Sequence, residues 1–238
     1  YGPNSWGRYE VLFLTPSFPY GGMENPNLTF LTPGVLAGDR SLTSLLAHEL
    51  GHSWSGNLVT NATWDDIWLN EGFTTYVEHR IGEAIFGEKE FEMQNVIIRK
   101  ELIDNIAELG DTSPDTRLKV SLTGRNPDDG LSLIPYVKGY AFLKVIENAV
   151  GREKFDVFIK NYFDANAFKS ITTEDFVKYI NENLIKGDKA LADKIKLDEW
   201  IYKPGIPSNI TPVSSLDFDA IDKIQKSWRE TGVKGLSK

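Results

Sequence analysis

The 238-residue sequence has no cysteine, only two methionines and only three histidines. Disulfides and cysteine-bound metals are therefore excluded, and any metal site must be built from imidazole and carboxylate groups. Basic charge is also in short supply: 26 Lys and Arg stand against 34 Asp and Glu, a net charge of −8. No nucleic-acid partner is expected, because neutralising phosphates requires a basic face. No apolar run approaches the ~20 residues that span a bilayer, so no membrane partner is expected either. No charged and then apolar leader precedes the first motif, and the compartment, cytoplasmic or exported, stays open. Internal repeats and low-complexity tracts are missing as well.

What is present is a globular chain, 41% hydrophobic and long enough to bury a sizeable core. The pattern predicts an α+β fold, mostly α, with a small N-terminal β region. Strands are expected over 9–15, stopped by Pro16, and around 28–32. After Asp39 the periodicity becomes helical, with Asp39 or Ser41 as N-cap of a helix running to about Gly56. Further helices are expected over 66–86, 88–109 and 136–150, each followed by a glycine, then over 152–163, 173–184, 188–202 and 216–229. The Pro- and Gly-bearing stretch 110–134 reads as a long functional loop, and 203–215, with three prolines, as a linker.

The chemistry concentrates in AHELGHSW, where His48 and His52 stand four residues apart with Glu49 between them. On a helix, steps of about 100° put His52 about 40° from His48, and Glu49 about 100° from it, all on one side. A solvated polar face gives the same pentapeptide. Glu71 changes the reading, since it follows His52 after 18 intervening residues, in WLNEGF on the next expected helix. Two imidazoles and one carboxylate form the three-ligand zinc set whose fourth position stays open to water. One Zn²⁺ per chain is thus expected, held by His48, His52 and Glu71. Zinc brings the pKa of bound water to about 7, and Glu49 is placed to take that water's proton as general base. Glu78, one helical repeat of seven beyond Glu71, either orients a zinc-bound imidazole or sits on a solvated face. His79, the third histidine, reads as structural or exposed.

HELGH, the 18-residue spacer, NEG at 70–72 and GGMEN at 21–25 together resemble the M1 family of gluzincin aminopeptidases. Within it the chain is most similar to the leukotriene A4 hydrolase and aminopeptidase B branch. SFPYGGMENP, LAGDRSL, HSWSGNLVTN, PYVKGYAFL, KSITTEDF and WIYKPGIP extend the likeness over nearly the whole chain. The resemblance implies a thermolysin-like catalytic domain over 1–204, its N-terminal part missing before Tyr1. It also implies a linker and terminal helix over 205–238, with N- and C-terminal domains of the same full-length protein as partners.

By position, Glu24 would bind the α-ammonium of a peptide with a free N-terminus, and a carboxylate left without its cation would disfavour internal segments. The Gly21-Gly22 backbone, with Met23 and Asn25, would lie along the substrate, although from the residues alone Gly21-Gly22 reads as a turn. Tyr136 would donate to the developing oxyanion. Read without the family, it is a core tyrosine at a helix start. Tyr20 either lines the first side-chain pocket or simply packs.

Three functions follow from these residues. The main one is zinc-dependent hydrolysis of the N-terminal peptide bond. The second is epoxide hydrolysis of a lipid at the same zinc, which Asp128 permits and Leu131, standing where that branch has a tyrosine, weakens. The third is a non-catalytic zinc-stabilised interaction module, which needs neither Glu49 nor Tyr136. Asn27 and Asn61 satisfy the glycosylation pattern but lie beside the expected site, and the match is taken as coincidence.

Overall fold

The computed structural model describes residues 2–130 and 132–232. Leu131 lies outside the described residues, and so do Tyr1 and 233–238. The first 61 residues hold β1 (Glu10–Phe13), β2 (Gly22–Met23), β3 (Leu28–Leu31), α1 (Thr43–Gly51) and β4 (Val59–Asn61). Helices α2 (Trp68–Phe86), α3 (Glu88–Leu109), α4 (Ile134–Val150) and α5 (Arg152–Asn166) follow, then β5 (Lys169–Ile171) and α6 (Thr173–Ile180). Helices α7 (Lys189–Ile195), α8 (Leu197–Tyr202) and α9 (Leu216–Thr231) complete the described chain.

Both expected strands form, slightly shortened, and pair in parallel as β1 and β3. Gly22 is in a strand rather than a turn: β2 runs antiparallel to β3, with Gly22 opposite Leu31. Strand β4 pairs in parallel with β5, a contact between 59–61 and 169–171.

Helix α1 begins at Thr43, not at Asp39 or Ser41, because the Asp39 carboxylate is used in a local turn, accepting from Ser41 N at 2.9 Å. It stops at Gly51, five residues early, where the main chain turns so that Gly56 N reaches Val59 O at 2.8 Å. The expected 66–86 helix is preceded by a 3-10 turn at 64–66, and the expected 173–184 helix widens into a π turn over 181–185. The expected 188–202 helix is two, divided by Lys196 at φ 55, a left-handed residue no α-helix continues through. Gly87, Gly110 and Gly151, all at positive φ, end their helices as predicted.

Helix α2 is the axis of the molecule, with residues 68–77 all buried. Trp68 packs against Phe142 at 5.9 Å and Phe176 at 5.4 Å, Phe73 stacks on Tyr162 at 5.1 Å, and Phe142 on Trp200 at 5.5 Å. Burying each such side chain contributes roughly 1.5–3 kcal/mol. Helices α2 and α4 cross at backbone contact: a Cβ on Gly72 would lie 2.8 Å from Gly139 Cα, and one on Gly139 2.7 Å from Gly72 Cα. That crossing fixes the residues on either side of it, Glu71 on one helix and Tyr136 on the other.

The start of α2 is pinned from the far end of the sequence. Asp66, fully buried, accepts from Thr173 N at 2.8 Å, Thr173 Oγ1 at 2.7 Å, Thr63 Oγ1 at 2.6 Å and Lys119 Nζ at 2.5 Å. The Trp68 indole donates to Thr173 Oγ1 at 3.0 Å.

Candidate metal centre and active-site cleft

Helix α1 packs along α2, with Gly51 small enough to seat against Thr74, and this brings His48, His52 and Glu71 to one point. His48 Nε2 lies 3.2 Å from His52 Nε2 and 3.2 Å from Glu71 Oε2, and His52 Nε2 lies 3.5 Å from Glu71 Oε2. The other imidazole nitrogens are engaged: His48 Nδ1 with Glu78 Oε2 at 3.0 Å, and His52 Nδ1 with Ser55 O at 2.9 Å. Both partners are acceptors, which favours a proton on Nδ1 in each ring and leaves both Nε2 atoms facing an anionic carboxylate, free to bind a cation there. Three acceptors facing one another repel unless a cation lies between them. A tetrahedral ion with ligands at about 2.0–2.1 Å needs ligand spacings of about 3.3–3.4 Å, and the three observed fit it.

The electrostatics point the same way. Burial pushes the His48 imidazolium down, but the Glu71 and Glu78 carboxylates outweigh it and raise it to about 10. Burial pushes Glu71 up, yet the two imidazoles hold it at about 2. This pocket favours positive charge.

Several residues that hold this shape were not singled out from the sequence. Gly56, at φ +118, lets the chain turn beneath His52, where a Cβ would lie 3.0 Å from Nδ1. Thr74 Oγ1 and Ser55 Oγ tie the 52–56 turn to α2, donating to Ser55 O at 3.1 Å and Leu69 O at 2.7 Å respectively. Asn57 Nδ2 donates to Glu24 O at 2.8 Å and fixes the strand end carrying that carboxylate. Asn57 lies inside HSWSGNLVTN, a match to the family pattern that carried no role for it.

Beside the pocket, Glu49 is 4% exposed, and its Oε2 has no hydrogen-bond partner. Burial, with the charges of Glu24 and Glu71 against the two imidazoles, pushes it up to about 7. Glu24, Glu49 and His52 offer ligand atoms within 4.8 Å of one another. The Tyr136 ring stacks on His48 at 5.9 Å and 26°, and burial beside Glu71, Glu24 and Glu49 raises its phenol, keeping it a proton donor.

A cleft of about 800 Å³ opens onto these groups. Tyr20, Gly21, Gly22, Met23 and Glu24 form one wall, and Glu78, Asp128 and Tyr136 also reach it. Tyr20 is half exposed and meets Phe18 edge-on at 5.9 Å. Asn25 is not brought to the cleft. It lines instead, with Tyr9, Ser53 and Asn57, a small neighbouring pocket that shares Glu49 with the cleft. Trp64 and Ile67, not singled out in the sequence, also line the cleft. His79 stacks on Tyr140 at 4.3 Å, away from the three donors.

Two imidazoles and a carboxylate, with an unpaired buried carboxylate alongside, are the groups of a metal-dependent hydrolase. Residues 2–200 match the Peptidase family M1 domain, and the chain belongs to that family. It is 44% identical over 229 residues to leucine aminopeptidase 2 of Coccidioides immitis, covering 95% of this chain and 37% of that protein. A leukotriene A-4 hydrolase homolog of Botryotinia fuckeliana is 43% identical, with 95% and 35% covered. Among solved structures, leukotriene A4 hydrolase from Saccharomyces cerevisiae superposes with a TM-score of 0.86 at 38% identity, over 99% of this chain and 37% of that one. A mutant M1 zinc metallopeptidase of Deinococcus radiodurans, bound to a Tyr-Ser-Ala substrate, gives 0.64 at 25% identity, over 86% and 41%. The chain thus spans little more than a third of the curated relatives it matches. Zinc is the metal named for solved members of the family. Among the described residues no helix is long and apolar enough to cross a membrane.

Proposed function

We propose that the chain is the catalytic unit of a zinc aminopeptidase, hydrolysing the first peptide bond of substrates with a free N-terminus. One Zn²⁺ per chain would be held by His48, His52 and Glu71, and would supply Lewis-acid polarisation of the carbonyl and acidification of water. The observation that carries the reading is the buried Glu49 carboxylate, its Oε2 without a hydrogen-bond partner, beside three converging lone-pair donors. Glu49 takes a proton from the attacking water and passes it to the departing amine. Tyr136 donates its phenol hydrogen to the carbonyl oxygen as negative charge builds there, and Glu24 pairs with the α-ammonium. Gly21 and Gly22 let the peptide lie close to the main chain, and Met23 and Tyr20 flank its first side chain. Glu78 holds His48 in the tautomer that points Nε2 inward.

This reading also takes 1–204 as the catalytic domain and 205–238 as the lead into other domains of a longer protein. Relatives named leucine aminopeptidase 2 support peptide rather than lipid chemistry. Asp128 at the cleft supports epoxide hydrolysis as the second reading. A module that binds zinc only to fold has no use for a buried unpaired Glu49.

The test is a panel of aminoacyl-arylamides, assayed as purified, after chelation and after zinc is restored. Hydrolysis that disappears with the metal and returns with it is the expected result. A zinc-replete chain that cleaves no arylamide but opens an epoxide-bearing fatty acid would move the assignment to the second reading.

A further inference from the structure

Lys138 has no part in the chemistry above, yet it is fully buried. Its ammonium donates to three main-chain carbonyls: Thr116 O at 2.7 Å, Lys203 O at 3.1 Å and Gly205 O at 3.1 Å. An ammonium has three N–H donors and no acceptor, so this tripod satisfies it completely. The three carbonyls come from two segments remote in sequence, the loop after α3 and the turn after α8. Those segments are themselves joined, Gly205 N donating to Thr116 Oγ1 at 2.8 Å and Thr116 Oγ1 to Ser113 O at 2.7 Å.

The position of Lys138 on α4 gives the tripod its meaning. The next residue, Gly139, is in backbone contact with Gly72 of α2, and further along α4 Phe142 packs on Trp68 and Glu147 accepts from the Tyr76 hydroxyl at 2.9 Å, so the later turns of α4 are held against α2. Tyr136 lies in the first turn of α4, ahead of these contacts, where a helix end is held least firmly. Lys138 ties the start of α4 to the 116 and 203–205 segments, about 100° round the helix from Gly139. Two residues earlier, Tyr136 stands over His48 at 5.9 Å. A small rotation of the first turn of α4 would carry its hydroxyl away from the carbonyl it serves.

We propose that Lys138 is a positioning residue for hydrolysis: by gripping three carbonyls it sets where Tyr136 stands over the metal pocket, without touching substrate. The inference rests on the aminopeptidase reading and on Tyr136 as the oxyanion donor. Because Lys138 acts through Tyr136, its loss costs no more than the loss of that phenol, about 10²–10³ in kcat.

The experiment is a double-mutant cycle on arylamide hydrolysis with Lys138→Met, Tyr136→Phe and both together, with zinc content measured for each. The expected result is a drop in kcat of at least about tenfold for Lys138→Met, KM within about twofold of wild type, full zinc content, and less than about twofold further loss when Tyr136→Phe is already present. Equal loss in both backgrounds would assign Lys138 to folding alone and overturn the proposal. Gly205→Ala provides a second route should Lys138→Met not fold. Its Cβ would lie 2.8 Å from Asp111 O at φ +78, displacing one of the three carbonyls, and the same kcat-only, Tyr136-dependent loss is expected. A zinc-replete wild-type chain without hydrolysis would remove the aminopeptidase reading and this inference with it. An active wild type with an additive cycle would remove only this inference.

Discussion

Gly22 presses its α-carbon against the side chain of Glu49: a Cβ there would lie 2.7 Å from Glu49 Cγ and closer still to the carboxylate. The strand that would carry the substrate therefore also confines the proposed general base. Gly22→Ala is expected to leave the fold nearly intact, because the displaced atoms are the free end of a side chain. Hydrolysis should fall by about tenfold or more, since a displacement near 1 Å is costly at a reacting centre. Thermal unfolding beside arylamide kinetics measures both, and an alanine variant with undiminished kcat would show that Glu49 is not confined.

Glu49→Gln removes the proton acceptor while preserving size. The side chain lies beside the three ligands, so the variant should retain zinc and lose about 10²–10⁴ in kcat. Metal analysis with single-turnover kinetics checks this, and near-normal activity would strip Glu49 of its role.

Gly72→Ala is expected to behave differently from Gly22→Ala, because its Cβ meets backbone, 2.8 Å from Gly139 Cα. Neither helix can yield locally, so about 1–3 kcal/mol of stability should be lost. Urea unfolding at neutral pH reads it. An unchanged midpoint would mean that α2 and α4 slide freely.

The histidine pair, Glu71 and the glycine-ended helices were legible because each rests on local periodicity or on one residue's backbone preference. Glu88–Leu109 matches its expected bounds, since Gly87 and Gly110 punctuate it at both ends. Strands β4 and β5 were not legible. Each has three residues, and they pair across more than a hundred positions, a relation no local window contains. The left-handed Lys196 was equally hidden, because lysine is an ordinary helix former and only the packing of α7 and α8 imposes φ 55 there. In the cleft, Glu24 came from family likeness, whereas nothing local in the sequence places Asn25 in the neighbouring pocket.

Asp66 gives a pH-dependent prediction. Burial pushes its carboxyl up, but hydrogen bonds from Lys119, Thr63 and Thr173 prevail and hold it below the usual range. A depressed carboxyl stabilises the fold fully above its unfolded pKa of about 3.9, and that contribution fades as pH falls through the folded value. Asp66→Asn should therefore cost about 1.5–3 kcal/mol at pH 7, with the gap to wild type narrowing below about pH 4. Urea titrations across pH 3–7 test the sign, and a gap independent of pH would refute it.

The clasp between Asp66 and Thr173 joins a residue near the metal-site helix to one made much later in synthesis. His48, His52 and Glu71 leave the ribosome a hundred residues before the threonine that steadies the base of Glu71's helix. A nascent chain thus displays the two imidazoles and the carboxylate of the proposed metal site well before it owns the scaffold that aims them.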